Sequence, residues 1–205
     1  MRACDFSSNS LLAVTGGLEK KVKIWDTELA TEKSFILRKQ PVKCTIFDKT
    51  PESNNNIIVF GGDDKQICWL DQRDQKLVKT FEVDDVVSSI EQSFDGRVII
   101  ASAGKKLYFF DTITKNLNKS IEMDYTVSSA SINNDHTKVV VGGSDPWIRI
   151  YDYEKEEETE LYKAHHGPIW STSFSPDSKL YATASEDGTV RLWRVNSQEP
   201  YGLWL

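Results

Sequence analysis

The chain is poor in the residues that most often announce chemistry or export. Of its 205 residues only three are cysteine. Cys4, Cys44 and Cys68 are an odd number and widely spaced, which suits neither a disulfide framework nor a metal knuckle. The implied compartment is therefore reducing, the cytoplasm and also the nucleus. No apolar run approaches the roughly 18–20 residues needed to cross a bilayer, so membrane insertion is not expected. The opening MRACDFSSNS lacks the apolar stretch of a secretory signal, and the sequon at Asn118 should stay bare. Positive charge is also short. Lys and Arg number 25 against 31 Asp and Glu, a net charge of −6 with a pI near 5.2. Such a protein repels polyphosphate on average, and no direct nucleic-acid binding is expected. Lys20, Lys21 and Lys23, and Lys105 with Lys106, read as solvated turns, with a local RNA contact as the alternative.

Catalytic signatures are missing as well. There is no G-x-x-x-x-G-K, no G-x-S-x-G and no HExxH. Asp and Glu fall nearly all in turns, which disfavours paired carboxylates for hydrolysis. His165 and His166 have no Cys, Asp or Glu at zinc-ligand spacing, so a structural histidine is preferred over a metal site. Neither an enzyme nor a cofactor is expected. The acidic stretch 154–160 reads as a solvated edge turn, or as a docking site for a basic partner.

A repeat is present instead. Five segments end alike, in KIWD, CWLD, FFD, IYD and LWR, with last residues at 26, 71, 111, 152 and 194, spaced by 45, 40, 41 and 42 residues. A period of roughly 40–45 residues belongs to four-stranded propeller blades. The long first interval holds an expanded polar turn at 48–56. Each repeat runs through a first apolar-alternating stretch (3–6, 42–47, 86–94, 127–132, 169–174) and a polar turn. A second stretch follows (11–14, 57–60, 98–101, 139–141, 180–183), closed by Gly16-Gly17, Gly61-Gly62, Gly104, Gly142-Gly143 or Ser185. These glycines are expected where the backbone turns sharply with positive φ. The marker stretch and a fourth run (33–37, 77–83, 117–123, 159–162) complete the unit. Stretches of this length, rich in Val, Ile and aromatics, are strands. No segment has a 3.6-residue period, so no helix is expected. The expected organisation is one all-β domain over 1–205, with repeats near 1–40, 41–84, 85–124, 125–165 and 166–205.

The last repeat, HHGPIW then FSPD then ASEDGTVRLW, resembles a full WD40 repeat. The resemblance implies a structural tetrad of His165, Thr183, Asp187 and Trp193. Once buried, the Trp193 indole and Thr183 hydroxyl need partners, and a neutral His165 can accept on one nitrogen and donate to Asp187 from the other. The first repeat has Thr15, Glu19 and Trp25 in matching places. The second and third lack the histidine and the fourth has Tyr151 for Trp, so those blades should rest on apolar packing. Trp147 and Trp170 lie near loops at one blade end and are the candidate partner contacts; inward packing of Trp170 is the alternative.

The stretch 162–204, with its EPYGLW tail, is similar to the last blade of the serine/threonine kinase receptor-associated family of WD40 proteins. VSSI at 87–90 and VSSA at 127–130 echo that family's first strands. Membership implies a seven-bladed, non-catalytic adaptor of cytoplasm and nucleus. Implied partners are Gemin and other survival-of-motor-neuron-complex components, an unr-type RNA-binding protein and, in animals, receptor kinases. The implied process is assembly of small nuclear RNA–protein particles for mRNA processing and splicing. The alternative is the i subunit of eukaryotic translation initiation factor three. Five repeats beginning within a first strand depart from seven. Either a five-bladed ring or an open arc follows, and the arc is preferred because blade angles are set by packing tuned for seven.

Overall fold

A computed structural model describes residues 1–163 and 165–195. The EPYGLW tail and the end of the fifth repeat lie outside the described residues. No helix occurs among the described residues. Among the described residues nineteen strands form five separate antiparallel sheets. The first holds β1 (Ala3–Phe6), β2 (Leu12–Gly16), β3 (Lys21–Asp26) and β4 (Thr31–Leu37). The second holds β5 (Val42–Phe47), β6 (Ile57–Gly62), β7 (Gln66–Asp71) and β8 (Lys76–Glu82). The third holds β9 (Val87–Gln92), β10 (Val98–Ala103), β11 (Lys106–Asp111) and β12 (Leu117–Glu122). The fourth holds β13 (Val127–Ile132), β14 (Lys138–Gly143), β15 (Trp147–Asp152) and β16 (Glu158–Lys163). In the fifth, β17 (Ile169–Phe174), β18 (Leu180–Ser185) and β19 (Val190–Arg194) are described. Each sheet is a meander in which every strand pairs with the next, as in a propeller blade.

The blades pack face to face through four apolar cores. One joins blades one and two through Val14, Ile24, Phe47, Phe60 and Leu70. The next joins two and three through Val59, Trp69, Ile99 and Phe110, with Trp69 edge-on to Phe110 at 5.2 Å between centroids. Ile100, Phe109, Val139 and Val141 join three and four, and Ile148, Ile150, Ile169 and Trp193 join four and five. Among the described residues no buried cluster joins the fifth blade to the first. The innermost strands β1, β5, β9, β13 and β17 lie against one another in that order and line a cavity of about 660 Å³.

The glycines closing the second strands do a different job from the expected one. Among them only Gly104 has positive φ (58°). Gly16, Gly61 and Gly142 are strand residues over which the next blade's innermost strand passes. A Cβ on Gly142 would sit 2.5 Å from Ile169 Cγ2, and one on Gly61 2.8 Å from Val87 Cγ1. Blade-to-blade contact, not turning, excludes a side chain there. The expanded turn at 48–56 also has a packing role: Asn55 Oδ1 accepts from the N–H and hydroxyl of Ser8 at 2.8 and 2.9 Å, tying blade two to blade one.

Candidate functional site

The fifth blade carries a hydrogen-bonded chain that runs from its third strand to the loop entering it. β19 places Trp193 so that its Nε1–H donates to Thr183 Oγ1 on β18 at 3.0 Å. The Thr183 hydroxyl then donates to His165 Nε2 at 2.8 Å, and His165 Nδ1–H donates to Asp187 Oδ2 at 3.0 Å. This direction is the one that satisfies every member with a neutral imidazole. His165 is 1% exposed, and burial is the main reason its pKa falls below 6.5, against the pull of Asp187. Asp187 is itself shielded from water, which alone would raise its pKa. The N–H of His166 and the hydroxyl and N–H of Thr189 outweigh that and hold the carboxyl well below the usual range. The four side chains thus meet in one network, with Thr189 as a fifth member.

The other blades hold different residues at the same positions. In blade one Trp25 Nε1–H donates to Thr15 Oγ1 at 2.9 Å, while Glu19 pairs with Lys23 at 3.4 Å. In blades two to four the tryptophan position holds Leu70, Phe110 and Tyr151, and the threonine position holds Phe60, Ala101 and Val141. All six are buried. Trp69 stands one place earlier along its strand than Trp25 and Trp193 do, on the opposite face, and its indole N–H has no partner among the described residues.

Trp147 and Trp170 differ in exposure. Trp147 opens β15 partly buried, with its backbone N–H held by Asp145 Oδ1 at 3.2 Å. Trp170 on β17 is 57% exposed. His166 is exposed, and among the described residues no group of three or more His, Cys, Asp or Glu is placed to hold a metal ion. The three cysteines are free thiols. In the acidic stretch Glu156 pairs with Lys119, Glu158 with Arg149 and Glu160 with Lys138. In the basic clusters Lys106 pairs with Asp84 and Lys21 lies over the Phe35 ring. No helix among the described residues is long and apolar enough to cross a membrane.

Two carboxylates on innermost strands were not foreseen from the sequence, where acids were placed in turns. Asp5 Oδ2 accepts the Phe47 N–H at 2.8 Å, and its Oδ1 accepts from Lys49 Nζ at 2.8 Å. Glu91 accepts from the Ser131 hydroxyl, which accepts the Phe174 N–H at 3.0 Å. Burial pushes the Glu91 carboxyl up to about 8, with the Ser131 bond opposing. The signal for these bonds is the repeat itself: donor and acceptor lie 42, 40 and 43 residues apart, one blade each time.

Comparison with known proteins decides the family. The WD domain, G-beta repeat family matches residues 1–26 and 156–194. The chain is 34% identical over 204 residues, its whole length, to serine-threonine kinase receptor-associated protein of Gallus gallus. The chain belongs to the WD40-repeat family. It is similarly 34% identical over 195 residues, 95% of its length, to the receptor-associated protein of Dictyostelium discoideum. A shorter likeness, 33% over 122 residues and 52% of the chain, is to eukaryotic translation initiation factor 3 subunit I of Culex quinquefasciatus. The chain spans 57% of the chicken relative and 66% of the Dictyostelium one. Four four-stranded sheets and a fifth with three described strands make up a β-propeller architecture consistent with the WD40 match.

Proposed function

We propose that this WD40 chain is a non-catalytic adaptor of the serine-threonine kinase receptor-associated type. The observation that carries the reading is likeness along the whole chain at 32–34% identity across several species. Initiation factor 3 subunit I covers about half of the chain. On this reading the chain joins survival-of-motor-neuron-complex proteins of the Gemin type during assembly of small nuclear RNA–protein particles, in cytoplasm and nucleus. An unr-type RNA-binding protein and, in animals, receptor kinases are further partners. Trp147 and Trp170 are proposed as contacts because aromatic side chains often dominate interface energies. The tetrad is proposed to be structural: it fixes the loop beside Trp170 and does no chemistry. The second reading, initiation factor subunit i, is favoured only by the Culex likeness.

Affinity capture from lysate separates the two. With the tagged chain as bait, Gemin-type proteins are expected and initiation-factor subunits are not. Recovery of initiation-factor subunits without Gemin-type proteins overturns the proposal in favour of the second reading. Trp147→Ala and Trp170→Ala are expected to weaken capture, and full-strength capture by both would remove these residues from the contact.

A further inference from the structure

Five aromatic rings of this chain carry a cation of the same chain. Lys21 lies over Phe35, Lys23 over Trp25, Arg38 over Phe60, Lys119 over Tyr153 and Arg149 over Tyr125, at 3.8–5.4 Å from the ring centroids. Trp170 is 57% exposed and carries none among the described residues. Its position explains this. β17 pairs Ile169 with Ser185 and Ser171 with Ala184, so Trp170 is the extra residue of a bulge, free of a cross-strand neighbour. The bulge residues of two other innermost strands, β5 and β9, are engaged within the chain. Lys43 pairs with Asp63 at 3.0 Å, and Ser88 donates to Ser102 O and Val127 O at 3.1 and 3.0 Å. In the fifth blade the same place holds a large apolar ring turned to solvent.

Exposed carboxylates lie on segments that flank the strand carrying that ring. Glu186 follows β18, and its N–H is held by Pro168 O at 3.0 Å, two residues from Trp170. Asp124 lies in the loop entering β13, the strand that packs on β17 through Ser129 and Thr172. Both carboxylates are exposed and form no ion pair among the described residues. The whole chain adds a field of net charge −6.

We propose that this rim binds an arginine side chain of an extended partner segment, stacked on Trp170 and paired with Glu186. The inference rests on the adaptor reading and gives the chemistry of one of its contacts. Arginine fits better than lysine because its flat guanidinium covers an indole face while its edge N–H groups remain free for a carboxylate. A nucleic-acid base also stacks on an exposed tryptophan, but its phosphates would face Glu186 and Asp124.

The test uses the full chain and a fluorescein-labelled GRGRGSG peptide, with fluorescence anisotropy as the readout. Replacing the arginines by citrulline keeps the shape and removes the charge. Citrulline or Trp170→Ala is expected to weaken binding at least ~10-fold, and Trp170→Phe to keep it within ~3-fold. Glu186→Gln should cost about 3-fold, an effect that shrinks in high salt. Thermal melts of each variant should match the parent, since Trp170 is exposed. No peptide binding, equal binding of the citrulline peptide, or Trp170-dependent binding of a labelled oligouridine in its place overturns the proposal. If Gemin-type capture then still depends on Trp170, the adaptor reading stands and arginine recognition falls alone.

Discussion

Blades three and five solve the same packing problem with opposite materials. At diagonally related positions of the second and third strands, blade three puts Ala101 and Phe110 and blade five puts Thr183 and Trp193. All four are buried. In blade three the contact is made by rings: Phe110 meets Trp69 and Phe81 edge-on, at 5.2 and 5.1 Å, and the buried Trp69 indole N–H has no partner among the described residues. In blade five the indole and hydroxyl bring polar atoms into the core, and these are satisfied only because His165 and Asp187 extend the chain to the entering loop. Apolar packing is tolerant of its neighbours, whereas a buried polar network must be complete. The difference teaches that the hydrogen-bonded chain ties the entering loop to the third strand in blade five, while blade three buries the same positions without such a chain.

The sharpest way to break this comparison is to remove one element from each blade. Phe110→Ala empties a site shared by two blades and is expected to cost about 3–5 kcal/mol. Asp187→Ala leaves the buried His165 Nδ1–H short of its main acceptor, at a cost of about 1–3 kcal/mol. Chemical denaturation of both variants measures the order. If Asp187→Ala melts with wild type, the network contributes nothing to stability and the contrast between the blades is only one of appearance.

How far the fold was legible follows from the same contrast. The strands were readable because their marker residues recur at 26, 71, 111, 152 and 194 and alternate apolar with polar between turns. The four positions His165, Thr183, Asp187 and Trp193 came from the resemblance of the fifth repeat to a full WD40 repeat, and the structure places these side chains within hydrogen-bond distance in sequence. The glycines were misread: a turn and a close approach both select glycine, and only the position of Val42, Val87 or Ile169 over the strand tells them apart. Asp5 and Glu91 were missed because their partners lie in the next blade. A side chain that bonds across blades leaves no local pattern, only an offset of about one repeat. Trp170 was named from its place near a loop, but the bulge that leaves it without a cross-strand neighbour depends on register.

A second difference lies in how the two regions answer pH. His165 has its pKa lowered from 6.5, chiefly by burial. Below that ordinary value the unfolded chain takes up a proton that the folded histidine resists, so the stability it contributes is present above pH 6.5 and is lost on acidification. Glu91 is raised from 4.5 to about 8, again chiefly by burial. Its contribution is fully present below pH 4.5 and is lost as pH rises to about 8. Glu91→Gln should therefore be more stable than wild type at pH 8–9, by about 1–3 kcal/mol, with the advantage gone near pH 4.5. The acid limb, to which His165 and the carboxylates with lowered pKa contribute, should not move. Denaturation midpoints followed from pH 4 to 9 check this, and parallel curves for the two proteins would show that Glu91 does not titrate as its burial requires.

The smallest effect isolates burial from hydrogen bonding. Trp25 and Trp193 make the same bond to a threonine of the neighbouring strand, at 2.9 and 3.0 Å. Trp193 is buried against blade four and its Thr183 is held by His165. Trp25 is partly exposed and its Thr15 has no such second partner among the described residues, although Lys23 covers the ring at 5.4 Å. Replacing each tryptophan by phenylalanine removes the N–H and keeps an aromatic ring. Where water can reach the freed hydroxyl, the loss should be within ~0.5 kcal/mol. Where it cannot, an acceptor is left unmet inside the core, and the cost should be near 1 kcal/mol or more. Trp193→Phe is thus expected to destabilise more than Trp25→Phe. Equal costs would mean that the indole–hydroxyl bond has a fixed value in this fold and that the histidine and aspartate beyond it add nothing. A larger cost for Trp25→Phe would reverse the ranking and place the more important polar contact in the first blade.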